Sequence, residues 1–167
     1  MKRLKYLFMA LIMVTCMVGS SKTVSASSYE TGKAMIPYYN VNSGTFCTYS
    51  LSNITNSPID ITVTLFNSDG TVFTDDGNAS TGKLIGYSLM NYNDQNIDSS
   101  ITFTLNPHST GIFKIDINNT TNFGYGIVEW KQAGNASHGL IASGLYTIKN
   151  GTSYETSTIE INGGLPF

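Results

Sequence analysis

The chain offers few groups for covalent or acid–base chemistry. Its only imidazoles are His108, in the turn Asn106-Pro107-His108-Ser109, and His138, in a Gly-rich loop. No His-x-x-x-His or His-x-Glu spacing exists to hold zinc, and no Gly-x-Ser-x-Gly elbow presents a serine nucleophile. Both histidines read as solvated loop residues. Glycoside hydrolysis needs two carboxyl groups about 5–10 Å apart across a cleft. Glu129 is the candidate beside an aromatic, Trp130, but neighbours on a strand face opposite ways. Glu155 and Glu160 fall on the last strand as solvent-face residues. Asp94, Asn96 and Asp98 stand at positions one, three and five of a loop, the opening spacing of a calcium loop. Ser99 in place of Gly and Leu105 in place of Glu exclude an EF-hand, leaving a looser structural calcium site, with Asp75-Asp76 as further ligands, or a polar loop of capped turns.

Binding chemistry is better supplied. Tyrosine faces stack on pyranose rings, and Asn, Asp and Thr bond to sugar hydroxyls. Tyr38, Tyr39, Tyr87 and Tyr92 flank loops and are the expected ligand contacts. The same Tyr and Thr are good strand formers, and Trp130 reads as core.

The N-terminus sets the address. Lys2, Arg3 and Lys5 precede an apolar run, Tyr6 to Val18, and Val24-Ser25-Ala26 is a small-residue cleavage site. This is the pattern of a secretory signal peptide over 1–26, too short in its apolar part to span a bilayer comfortably. A lipoprotein route through Cys16 fits less well, because Thr15 is large and no Leu stands three residues before Cys16. Cleavage after Ala26 leaves five lysines (Lys33, Lys83, Lys114, Lys131, Lys149), no arginine and all eleven acids, a net charge of −6. That balance opposes nucleic-acid recognition and adhesion to anionic lipid. The expected protein is secreted or extracellular, with no membrane insertion after processing and no bound cofactor unless calcium is present. Cys47 would be the only thiol left: a reactive or intermolecular one, or a small buried hydrophobe. Asn53, Asn78, Asn118, Asn119, Asn135 and Asn150 open Asn-x-Ser/Thr sequons, usually idle in the bacterium that the Asn-rich, Arg-free composition indicates.

The elements that would position these groups are strands. Between Pro58 and Gly70, Ile59, Ile61, Val63 and Leu65 alternate with Asp60, Thr62, Thr64 and Phe66, which puts one face in a core. Similar alternation runs through Thr45–Asn53, Ile101–Leu105, Phe113–Ile117 and Tyr125–Lys131, and a shorter strand runs over Ala34–Tyr39. Asn150-Gly151 between Leu140–Lys149 and Ser153–Ile161 predicts a hairpin. Residues 27–33 read as a flexible lead-in and 74–96 as an irregular insert. No helical period appears past Ala26. The fold class is therefore all-β: a single-domain antiparallel β-sandwich over 34–167, jelly-roll or Ig-like, with about eight or nine strands.

Ile36-Pro37-Tyr38-Tyr39, Leu51-x-Asn53, Ile61-Thr62-Val63-Thr64 closing on Ser68-Asp69-Gly70, and Leu105 to Thr110 together give a stretch that resembles the sensory rhodopsin transducer family of small bacterial sandwiches. The resemblance spans about Ala34 to Ile117. It implies a small sandwich that works by binding, often as an oligomer. The signal peptide and the 74–96 insert depart from it, and no functional residue carries over.

The function expected from the sequence is a non-enzymatic binding module for an extracellular polymer or cell-surface component, with carbohydrate as the ligand class that the tyrosines suggest. The alternatives are a self-assembling matrix protein joined through edge strands and a small glycoside hydrolase using Glu129.

Overall fold

A computed structural model describes residues 28–73, 84–87, 90–94, 100–116, 121–134 and 136–167. Ten strands are found among them: β1 (Tyr29–Val41), β2 (Thr45–Asn53), β3 (Ile59–Asn67), β4 (Leu84–Tyr87), β5 (Met90–Asp94), β6 (Ser100–Leu105), β7 (Thr110–Asp116), β8 (Asn122–Ala133), β9 (Leu140–Asn150) and β10 (Ser153–Glu160). One antiparallel sheet has the order β1-β8-β3-β6-β5 and the other β10-β9-β2-β7-β4. From β1 to β4 and from β6 to β9, successive strands switch sheets. The interleaving of β1-β8-β3-β6 with β2-β7-β4 is the double Greek key of a jelly roll. Of the two sandwich types expected, this is the one found, enlarged by the β9–β10 hairpin beside β2.

The inner faces follow the predicted alternation. Ile59, Ile61, Val63 and Leu65 of β3 are buried with Ile101 and Phe103 of β6 and Val128 and Trp130 of β8. Across the sandwich, Tyr49 of β2 and Phe113 of β7 stand opposite in register and stack at 4.9 Å. Such a cross-strand aromatic pair contributes about 0.5–1.5 kcal/mol beyond its buried area. The Trp130 indole N–H donates to the Phe167 main-chain oxygen at 2.8 Å. That oxygen also accepts from the N–H groups of Gly139 and Leu140, so the final residues close over the indole.

Four expectations change. The lead-in over 27–33 is strand from Tyr29 onward. Tyr29–Lys33 pairs continuously with β8, and its apolar content is low because β1 is an edge there. Among the described residues the strands number ten, where about eight or nine were expected, because the insert contributes two short ones, β4 and β5. Residues 71–73, which the sequence allows as a short hairpin partner to β3, make a single bridge, Phe66 to Val72, instead of a full strand. In the β9–β10 hairpin, Asn150 still pairs with Ser153, so the turn residues are Gly151 and Thr152. Only Gly151 takes positive φ, at 61°, the demand that a type II′ turn places on its first central residue.

One end of the sandwich is tied by a buried amide. Asn53 is 2% exposed. Its Nδ2 donates to the carbonyls of Ser57, Leu105 and Asn106 at 2.8, 3.2 and 3.0 Å, and its Oδ1 accepts from the Thr55 N–H at 2.8 Å. Thr55 Oγ1 lies 2.8 Å from Oε1 of buried Gln132. Asn53 thus joins the loop after β2 to the turn after β6, and its amide nitrogen is unavailable as a glycan acceptor in the folded chain. Asn53→Ala is expected to cost about 2–3 kcal/mol, since it orphans buried carbonyls. Urea unfolding of both proteins measures the difference.

Candidate functional site

The outer face of the β1-β8-β3-β6 sheet is assembled by register. Along β8 the residues pointing away from the core are Phe123, Tyr125, Ile127, Glu129 and Lys131, because Val128 and Trp130 are committed inward. Lys131 stands opposite Thr31 and Asp60, Glu129 opposite Lys33 and Thr62, Ile127 opposite Met35 and Thr64, and Tyr125 opposite Phe66. At about 3.3–3.4 Å per residue, Lys131 to Phe123 covers about 27 Å.

The face has a polar middle between aromatic ends. Thr31, Lys33, Asp60, Thr62, Glu129 and Lys131 line a depression of about 680 Å³. Lys33 Nζ donates to Glu129 Oε1 at 3.1 Å, and the Thr104 hydroxyl donates to Asp60 Oδ1 at 3.0 Å. At one end, Lys131 Nζ sits 4.4 Å from the centre of the exposed Tyr29 ring. At the other, Phe66 and Tyr125 stack at 5.0 Å with their planes 14° apart, beside Met35 and Phe123, which are 58% and 54% exposed. Gly124 allows this end to form: a Cβ there would collide with the Phe66 carbonyl, so β8 and β3 approach as closely as they do only with glycine.

The predicted contact tyrosines are not brought together. Tyr38 is exposed on β1, with its ring 6.4 Å from that of Tyr146 on β9, away from this face. Tyr39 is a correction, because it is fully buried, donates its hydroxyl to Asn67 Oδ1 at 3.2 Å and packs edge-on against Phe73. The cause is a register shift: Ile36 pairs with Gly126 but Tyr39 with Gly124, so β1 gains a residue near Pro37 and Tyr39 turns inward. Tyr87 belongs to β4 and Tyr92 to β5, edge strands of different sheets. Of the expected calcium ligands, Asp94 ends β5, while Asn96 and Asp98 lie outside the described residues, as do Asp75 and Asp76. Among the described residues no three His, Cys, Asp or Glu side chains come close enough to hold a metal. His108 Nε2 lies 2.9 Å from Asn56 Oδ1, and His138 Nδ1 lies 3.0 Å from Ser137 Oγ.

Sequence reasoning passed over Tyr29, Phe66 and Tyr125 as contacts. The available signal was an aromatic among the wet residues of a strand: Phe66 follows Asp60, Thr62 and Thr64, and Tyr125 shares its alternation with Glu129 and Lys131.

Cys47 is buried, with its Sγ 3.6 Å from the Asn40 carbonyl, and burial pushes its thiol up. Burial also pushes the Tyr39 and Tyr49 phenols above the ordinary range, helped by the Asp69 charge at Tyr39 and by Cys47 at Tyr49.

No family model matches the sequence, and no curated protein matches it. Among the solved structures that overlap it, two do so loosely. One is a crystal structure of Thermotoga maritima 1070, with TM-score 0.45 and 9% identity over 75% of this chain and 88% of that chain. The other is a Bacillus chain from the report that endospore appendages form a novel family of disulfide-linked pili, with TM-score 0.23 and 11% identity over 70% of this chain and 100% of that chain. Overlap at this level transfers neither activity nor partner. What the chain's own strands define is a jelly-roll sandwich with one patterned, solvent-facing sheet.

Two outcomes follow from the buried groups. Cys47 is expected to resist thiol reagents in the native protein and to react promptly in denaturant, which a colorimetric thiol assay reads. Tyr39 and Tyr49 hold their protons more tightly folded than unfolded. Their contribution is therefore complete below pH about 10, and unfolding free energy declines as pH rises past it. Urea melts at pH 8 and pH 11, followed by phenolate absorbance, test this sign.

Proposed function

We propose that this is a secreted, non-enzymatic binding module that holds an uncharged extracellular carbohydrate polymer across the outer face of β1, β8, β3 and β6. One observation carries the reading. That face places aromatic side chains at both ends of a polar depression, in a line about 27 Å long on rigid strands. Rings at Tyr29 and at Phe66–Tyr125 supply stacking surfaces for pyranose units. Thr31, Lys33, Asp60, Thr62, Glu129 and Lys131 supply donors and acceptors for the hydroxyls between them. The mature net charge of −6, with no arginine, disfavours polyanions, and the depression balances Lys33 and Lys131 against Asp60 and Glu129, which suits a neutral polymer. The signal-peptide pattern at 1–26 supports an extracellular place of action.

The test is a neutral-glycan array followed by calorimetric titration of the best polymer. Tyr125→Ala and Phe66→Ala are expected to weaken binding at least about tenfold, or about 1.4 kcal/mol, with the melting temperature little changed. Tyr87→Ala is expected to leave affinity unaltered. Absence of binding to any neutral glycan, or equal affinity in all variants, refutes the reading.

A second reading, a small hydrolase, draws on one observation. Asp60 and Glu129 line the same depression on adjacent strands, in diagonal register, where backbone positions lie about 7–8 Å apart. That places two carboxylates on one face, as glycoside hydrolysis requires. Against it, the Glu129 side chain is 52% exposed, which leaves its carboxyl group in water. Release of reducing ends from a bound polymer, abolished by Glu129→Gln, would favour hydrolysis over binding.

A further inference from the structure

The four edges of the sandwich are unequal. An unpaired strand edge is a template for another strand, and proteins blunt such edges with shortness, bulges, proline or lysine. Edge strand β1 carries Pro37 and a register shift between Ile36 and Tyr39. The β5 edge has a register shift between Met90 and Asn93, and β4 is four residues long. The β10 edge has none of these devices, and its only charged side chains are Glu155 and Glu160. It runs for eight residues, Ser-Tyr-Glu-Thr-Ser-Thr-Ile-Glu, in unbroken register with β9 and without proline or lysine. Both its faces are exposed from Ser153 to Thr158, and no described strand pairs with its outer side.

The outward-pointing backbone groups can be assigned. The Lys149 N–H donates to the Gly44 carbonyl at 2.7 Å, on the β2 side of β9. Lys149 is paired with Tyr154, so by antiparallel alternation the N–H and C=O of Tyr154 point away from β9. The same holds for Thr156, Thr158 and Glu160.

We propose that two copies of this chain associate through β10, antiparallel, joining their five-stranded sheets into one. A two-fold axis perpendicular to the sheet keeps the two outer faces on one side, which restricts the register to residues of like parity. In the most extensive such register that keeps the two Glu155 residues apart, Tyr154 lies opposite Glu160 of the second copy and Thr156 opposite Thr158. Glu155 then faces Ile159. No carboxylate opposes another, and the two Thr–Thr pairs are favourable cross-strand neighbours. The occupant best matched to this edge is the edge itself. The surface lies on the sheet opposite the proposed carbohydrate face, so the two proposals stand or fall separately.

The experiment is sedimentation of the purified chain over a concentration series. The wild type is expected to shift from monomer to dimer as concentration rises. Thr156→Pro removes an outward N–H without touching the β9 ladder and is expected to remain monomeric with an unchanged melting temperature. The double variant Thr156→Lys, Thr158→Lys sets like charges opposite across the axis, is expected to behave in the same way, and covers the case in which the proline variant fails to fold. A wild type that stays monomeric at every concentration overturns the proposal, as does dimerisation undiminished in a folded variant.

Discussion

Everything on the outer face depends on which way β8 turns its side chains. Strand β8 lies between β1 and β3, so its register fixes both neighbours. Trp130 holds it: the indole is buried, and its N–H is satisfied by the Phe167 main-chain oxygen at 2.8 Å. A slip of one residue would place Glu129 and Lys131 in the core and expose Trp130 and Val128, exchanging apolar burial for two unpaired buried charges. That penalty is far larger than anything the outer face contributes. The line of Tyr29, Lys131, Glu129, Tyr125 and Phe66 is therefore a consequence of the core, not an independently stabilised arrangement.

Among the described residues no cross-link supports the core. Cys47 is buried as a thiol, and among the described residues the ion pairs are Lys33–Glu129 and Lys114–Asp116. Both Lys33 and Glu129 are more than half exposed, where such pairs contribute little, about 0–1 kcal/mol. Stability thus rests on interdigitated apolar faces and on amides such as Asn53 that bind the loops at one end. Charged residues are left free to serve the surface.

The sequence carried the sandwich because burial imprints a period of two on β2, β3, β6, β7 and β8. It carried less of β1, whose first residues, Tyr29 to Lys33, lie on an edge and show no apolar alternation. Tyr39 went astray for a local reason: the extra residue near Pro37 reverses parity, and no composition signal announces a bulge. The site was harder to read for a topological reason. Thr31, Asp60 and Lys131 share one row of the face, yet they come from β1, β3 and β8. Only the register of three strands brings them together. The guesses at Tyr38, Tyr39, Tyr87 and Tyr92 looked to loops, whereas the surface that concentrates aromatic and polar groups is built on strands.

Strand placement also bears on how such a face can work. A loop site must be ordered on binding, at about 0.5–1.5 kcal/mol per immobilised side chain. Here Phe66 and Tyr125 already stack on each other, Lys33 already holds Glu129, and Asp60 already accepts from Thr104. The Phe66–Tyr125 stack is formed before a ligand arrives, so less of the contact energy there is consumed by ordering, whereas the exposed Lys33–Glu129 pair adds little. The same rigidity weighs against catalysis. An open depression on the outer face of a sheet leaves Glu129 half in water, and a carboxyl group that must deliver a proton gains from enclosure. A prearranged, water-facing strip suits retention of a long polymer better than its cleavage.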